Sequence, residues 1–300
     1  MESGKHIQHH EHGHHHSGDV EALGGAFLLN FIFTLIEIAG GLWTNSVAIL
    51  ADALHDAGDS LALLLAWYLQ KASGKERDQR FSYGYGRLSL LAALINGVVL
   101  LAGSIVVIVH VIPRLFEPQI VDATGMLWLA LLGIAFNGFA FWRNRSSQSV
   151  NAKMVNWHLL EDVLGWVAVL IVAIVMQFKD WPVLDPVLSI GFTLFILFNV
   201  IRNLISTVKL FFQASPDNDL LQNVTDKLLE LDAVSNLHHL HIWSLDGEHH
   251  VATVHIVSQF ESKAEYLMLK ESIANALDEF ELSHTTIEVE NGLEDCRDTK

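Results

Sequence analysis

"SVAILADALHDAGDSLALLLAW" (Ser46–Trp67) and "NWHLLEDVLGWVAVLIVAIVMQF" (Asn156–Phe178) decide how this chain reads. Each is long and apolar enough to cross a bilayer, yet each carries a His and, four residues on, an Asp. On a helix, residues four apart lie on one face, one above the other. His55 with Asp59, and His158 with Asp162, therefore each present an imidazole and a carboxylate to a single point. Two such helices side by side offer two nitrogens and two oxygens, a natural tetrahedral shell for Zn²⁺. Ionisable groups are costly in hydrocarbon, so four of them in two spans call for a function.

The rest of the chain agrees with a membrane setting. It has 300 residues, 51% of them hydrophobic, and the apolar residues come in blocks. Six segments emerge, roughly 23–43, 46–70, 88–111, 126–142, 154–178 and 183–205, each near the ~20 residues a span needs. The connection 70–87 carries Lys71, Lys75, Arg77, Arg80 and Arg87, and the one after the fourth segment carries Arg143, Arg145 and Lys153. The alternate connections are nearly free of basic residues. Basic loops stay in the cytoplasm, which places both termini there too. No cleavable signal peptide is expected. The single Cys excludes a disulfide framework, and a net charge of −16 argues against nucleic acid.

Composition divides the chain into four parts: a polar tail over 1–20, a six-helix membrane domain over 21–207, an acidic polar domain over 208–292 and a tail over 293–300. Asp217–Leu231 reads as an amphipathic helix. Asn236–Ser244 and His249–Ser258 alternate as strands around the turn Asp246-Gly247. Lys263–Phe280 is a second helix and Thr285–Glu290 a last strand. The order αββαβ makes a small α+β layer structure.

The stretches Ser46–Leu63, "FSYGYGRLSLLAALINGV" (Phe81–Val98), "NWHLLEDVLGW" (Asn156–Trp166), "LDPVLSI" (Leu184–Ile190) and "LHHLHIWSL" (Leu237–Leu245) resemble, in order, the motifs of the cation diffusion facilitator family of divalent-metal/proton antiporters. The resemblance implies an α-helical membrane protein with six transmembrane helices, a cytoplasmic ferredoxin-like domain and a homodimer. It implies a transport site of His55, Asp59, His158 and Asp162, in the version found in the family's zinc-preferring branch. It also implies a cytoplasmic metal site at His238, His255, Glu288 and Glu290, where zinc acts as a structural or regulatory ligand.

Other residues carry secondary expectations. Asp52 and Glu37 are candidates for a place beside the ligands or on the ion path, and Asp56 is expected to point elsewhere. Asp185 reads as a helix cap. His9, His10, His12, His14, His15 and His16 suit loose metal capture near the cytoplasmic mouth. Alternation puts His239 and His241 on one strand face and His238 on the other.

The expectation is therefore a non-enzymatic zinc/proton antiporter that exports Zn²⁺ across the inner (plasma) membrane of a bacterium, surrounded by lipid. A broader Cd²⁺, Co²⁺ or Ni²⁺ exporter uses the same site. A metal sensor needs no ligands inside the membrane. An intramembrane metallohydrolase needs an open coordination position, which four protein ligands would close.

Overall fold

A computed structural model describes residues 16–73, 78–144, 150–292, 296 and 298. It divides into two compact units, Met1–Gln70 with Val98–Val200, and Lys71–Gly97 with Ile201–Lys300.

Six long helices come first: α1 His16–Thr44, α2 Val47–Ser73, α3 Leu88–Phe116, α4 Ala123–Asn144, α5 Val150–Phe178 and α6 Leu184–Phe211. Five of them contain stretches long and apolar enough to span a bilayer. The exception, α2, has the length but carries Asp52, Asp56 and Asp59 within about two turns. α3 outruns its expected end by several residues, because Pro113 sits in its last turns, where few intrahelical bonds remain to be lost.

A small core joins α1, α2, α4 and α5, built on Phe33, Ile49, Met126, Trp166 and Val169, with Leu188 and Phe192 of α6 packed against it. Phe33 stacks on Phe136 at 4.5 Å and meets Trp166 edge-on at 6.0 Å. Around this core, Leu28, Phe139, Leu164, Ile174 and Phe198 face outward. Apolar exposure on that scale suits lipid rather than water. The chain is an integral membrane protein by this pattern.

The second unit holds α7 Asn218–Leu229, β1 Val234–Ser244, β2 His250–Ser258, α8 Lys263–Leu277 and β3 Leu282–Asn291. Its sheet has the order β1-β2-β3, with β1 and β2 antiparallel and β2 and β3 parallel. This is the αββαβ ferredoxin-like order. Asp217 caps α7 by accepting from the Asp219 N–H, and Ser262 caps α8 by accepting from the Glu265 N–H. Val224, Leu228, Ile242, Ile256, Leu269 and Ile273 form one core between helices and sheet.

The hairpin turns where its sequence demands. Gly247 takes φ 105°, open to glycine at no steric cost. Asp246 accepts from the N–H groups of Glu248 and His249 at 3.0 and 2.8 Å. Burial pushes its carboxyl up, but those bonds and the His249 imidazole win and hold it below the usual range. In the same unit, Tyr83 meets the rings of Trp243 and His284 edge-on.

Candidate metal sites

α2 and α5 bring their two pairs together. His158 Nε2 lies 3.1 Å from Asp59 Oδ2 and 3.8 Å from Asp162 Oδ2, while His55 Nε2 lies 3.6 Å from Asp59 Oδ2. The two imidazoles face each other edge to face at 5.8 Å. Ligand atoms of His55, Asp59 and His158 all fall within 4.8 Å of one another, and Asp162 stands beside them through His158. The Asp59 carboxylate reaches from α2 to His158 of α5.

An open cavity of about 440 Å³ leads to this point. Asp52, His55 and Asp162 supply its polar wall, and Trp157, Phe192 and Phe195 part of its apolar wall. Glu161 lines the same cavity at its exposed side.

Glu37 and Asp56 behave differently. Both are buried, at 1% and 4% exposure. Asn30 of α1 donates to the Asp56 backbone carbonyl at 3.0 Å and to Ser60 Oγ at 3.0 Å. Neither carboxylate oxygen of Glu37 has a hydrogen-bond partner among the described residues. Glu37 is no wall residue of the cavity.

Asp185 is a cap, but for another helix. Its oxygens accept from Ser46 Oγ and from the Val47 and Ala48 N–H groups of α2. The capping residue and the helix it caps are 138 positions apart at Val47, a pairing no local pattern signals.

The second cluster lies on the sheet of the polar unit. His238 pairs with His255 across β1 and β2, and Glu288 lies next to His255 across β2 and β3. His255 Nδ1 is 2.8 Å from Glu290 Oε1, and His238 Nε2 is 3.2 Å from Glu290 Oε2. The fourth corner is Cys296, whose Sγ lies 3.5 Å from His255 Nδ1. Ligand atoms of His238, His255, Glu290 and Cys296 all fall within 4.8 Å of one another.

Glu288 therefore does not take the expected ligand position. It approaches the opposite nitrogen, Nε2, of His255 at 3.9 Å, where Asp298 also stands at 3.6 Å. Carboxylates behind an imidazole orient the ring and raise its basicity towards a metal. Burial pushes the Glu290 carboxyl up, but His255, Cys296 and His238 hold it below the usual range. Burial pushes the Cys296 thiol above its ordinary value, a state that metal binding would reverse by displacing the proton.

The expected alternation of β1 fails at His239. A bulge between His238 and His241 gives His239 a φ of 50° and carries its ring to 5.2 Å from both His238 and His255. His9, His10, His12, His14 and His15 lie outside the described residues, as does the side chain of His16.

The class these features define is an integral membrane protein with one His/Asp cluster shared by α2 and α5 and a second, His/Glu/Cys cluster on an α+β unit, each of which could hold a metal ion. The chain matches the cation efflux transmembrane domain over residues 25–212 and the cation efflux protein cytoplasmic domain over residues 216–292. It belongs to the cation efflux family. It is 30% identical over 289 residues to the zinc transporter ZitB of Pectobacterium atrosepticum, covering 94% of this chain and 88% of that protein. It is 30% identical over 282 residues to the metal cation efflux system protein CzcD of Cupriavidus metallidurans, covering 93% and 89%. A cadmium, cobalt and zinc/H(+)-K(+) antiporter of Bacillus subtilis is 28% identical over 289 residues, covering 93% and 91%.

Proposed function

We propose that this chain is a zinc/proton antiporter and not an enzyme, exporting Zn²⁺ from the cytoplasm through His55, Asp59, His158 and Asp162. The observation that carries the proposal is the convergence of His55, Asp59 and His158 from two spans, with Asp162 beside them. Two carboxylates match the charge of a dication, so the loaded site is neutral within the membrane. Neutral imidazole suits zinc, cobalt and nickel, whereas all-carboxylate sites favour harder ions.

Proton coupling follows from the same four side chains. An imidazole must be deprotonated to bind metal, and its ordinary pKa lies near 6.5. Metal arriving from the cytoplasm displaces protons from the cluster, and protons arriving from the other side displace the metal. Asp52 lies on the cavity wall that the ion passes.

The polar domain faces the cytoplasm in this reading and serves as dimerisation and sensing module. His238, His255, Glu290 and Cys296 hold a resident Zn²⁺ there, with Glu288 and Asp298 behind His255. Two copies of the chain form a homodimer in a bacterial inner membrane, with both termini in the cytoplasm. The His-rich segment before His16 gathers metal loosely near the mouth. The relatives' names favour zinc, while the two that name cadmium, cobalt or metal cations at large favour a wider substrate range at the same ligands.

Asp59→Ala and Asp162→Ala test the site directly. Zinc flux into reconstituted vesicles is expected to vanish in each variant while the protein still folds and dimerises. Wild-type flux in either one would refute the four-ligand site.

A further inference from the structure

The Ser46 end of α2 is fastened to α6 by a buried carboxylate. Asp185 is fully buried, at 0% exposure. It accepts from Ser46 Oγ at 2.5 Å, from the Val47 N–H at 2.8 Å and from the Ala48 N–H at 3.2 Å. One turn further along α6, Ser189 Oγ donates to the Val47 carbonyl at 3.0 Å. The Ile49 N–H goes to Ser46 Oγ and the Leu50 N–H to the Ser46 carbonyl. The first N–H groups of α2, which no helix can satisfy from within, are thus all engaged, two of them by α6.

A helix start does not require this arrangement. Ser46 is itself a residue type that caps helices unaided. Burying a carboxylate costs free energy that only full hydrogen bonding offsets. What Asp185 adds is a bond between two helices. The preceding turn is held as well: Arg114 of α3 donates to the Asn45 carbonyl and to Asn45 Oδ1 at 2.8 and 2.9 Å. Asn45 Nδ2 donates to the Ile120 carbonyl, and the Asp122 N–H donates to the Thr44 carbonyl.

His55 lies nine residues from Ser46, roughly 13 Å along a stiff helix. Fixing the first turn therefore fixes both the height and the rotation of His55 and Asp59. The same face of α6 runs on through Ser189 to Phe192 and Ile196, the latter two lining the cavity beside His55. One face of α6 thus both holds the start of α2 and walls its metal ligands.

We propose that Asp185 is a positioning residue of the transport site: by tying the start of α2 to α6, it sets the register in which His55 and Asp59 meet His158 and Asp162. This rests on the transport-site reading above. The test is zinc flux by purified full-length protein in vesicles, with KM and thermal midpoint measured for Asp185→Ala, Asp185→Asn and the double variant Ser46→Asp/Asp185→Ala. Asp185→Ala is expected to raise the zinc KM roughly tenfold to a hundredfold, the range for loss of a group that orients metal ligands. Asp185→Asn, which keeps the shape and one acceptor oxygen, is expected to fall between that variant and wild type. The double variant supplies a carboxylate cap from within α2 in place of the one from α6, so it recovers the thermal midpoint but keeps the raised KM. Recovery of both would show that Asp185 only caps, and a wild-type KM in Asp185→Ala would overturn the proposal outright. If Asp185→Ala does not fold, a wild-type KM in Asp185→Asn overturns it equally. Asp59→Ala separates the two claims. Loss of flux there with an unchanged KM at position 185 removes only the tether, whereas persistent flux removes the site and the tether together.

Discussion

Gly133→Ala tests whether the packing behind the metal ligands controls them. A Cβ at position 133 of α4 would lie 2.2 Å from Trp166 Cδ2, 2.4 Å from Cε2 and 2.6 Å from Cγ, where ordinary contact begins at 3.4 Å. The indole of α5 would have to retreat by about 1.2 Å to relieve the shortest of these contacts. It has nowhere to go: Trp166 is 1% exposed and Phe33 stands against it. Overpacking of a filled core costs about 1–3 kcal/mol. The gain from Ala over Gly in a helix returns at most about 1 kcal/mol. The net expectation is a loss of roughly 1–2 kcal/mol, read as a thermal midpoint lower by several degrees.

The functional consequence follows from sequence distance. Asp162 and His158 precede Trp166 by one and two turns of the same helix, so α5 carries them as it shifts. The zinc KM is expected to rise together with the loss of stability. Trp166→Ala removes the clashing ring atoms, so the Gly133→Ala/Trp166→Ala pair should be more stable than additivity allows. An unchanged midpoint and KM in Gly133→Ala, or a strictly additive cycle, would refute the reasoning.

Three further outcomes are expected. His55→Asp replaces a nitrogen ligand by a harder oxygen and should widen a flux panel towards Mn²⁺; an unchanged ranking would place selectivity outside these four residues. Because the chain has one Cys, a thiolate-to-metal charge-transfer band in the Co²⁺-loaded full-length protein reports on Cys296 alone. It should appear in the wild type and be absent from Cys296→Ser, and its absence from both would exclude the thiolate ligand. Asp246→Ala should cost about 1 kcal/mol, as loss of a cap does. Because its folded carboxyl is held below the usual range, this contribution is complete above the unfolded value of about 3.9 and is lost as pH falls through the folded value. The gap between wild type and variant in pH-dependent unfolding should therefore be constant near neutrality and close in acid, and a gap independent of pH would count against it.

Much of this was legible in the chain because the relevant signals are local. Span lengths, the i, i+4 spacing of His55 with Asp59 and His158 with Asp162, and the turn at Asp246-Gly247 each arise within a few residues. The αββαβ order followed from periodicity alone, and its elements begin and end within a few residues of where the pattern put them. What stayed hidden depends on distant partners. Asp185 reads as a local cap until α2 is seen against it. Cys296 lies six residues beyond Glu290 with no spacing that marks it as a ligand, and only the sheet register brings His238 and His255 to meet it. Glu288 and Glu290 look equivalent by alternation, yet they address opposite nitrogens of His255. Strict alternation also misplaced His239, because a bulge breaks the period of two. The 100° step of the helix sets Asp56 off from the ligand face, but its burial and the Asn30 bond to its main-chain carbonyl depend on the packing of α1.

Proton coupling is the central claim, and zinc binding and efflux against pH test it most directly. The measurement uses the chain without residues 1–15 and with His238, His255 and Cys296 replaced, so that only the membrane cluster responds. Zinc affinity should fall steeply as pH drops through roughly 7 to 5.5, around the ordinary imidazole value. An inward proton gradient should accelerate efflux and its collapse should stop it. A flat affinity curve, or efflux that ignores the collapsed gradient, would contradict antiport and point to a uniporter or channel.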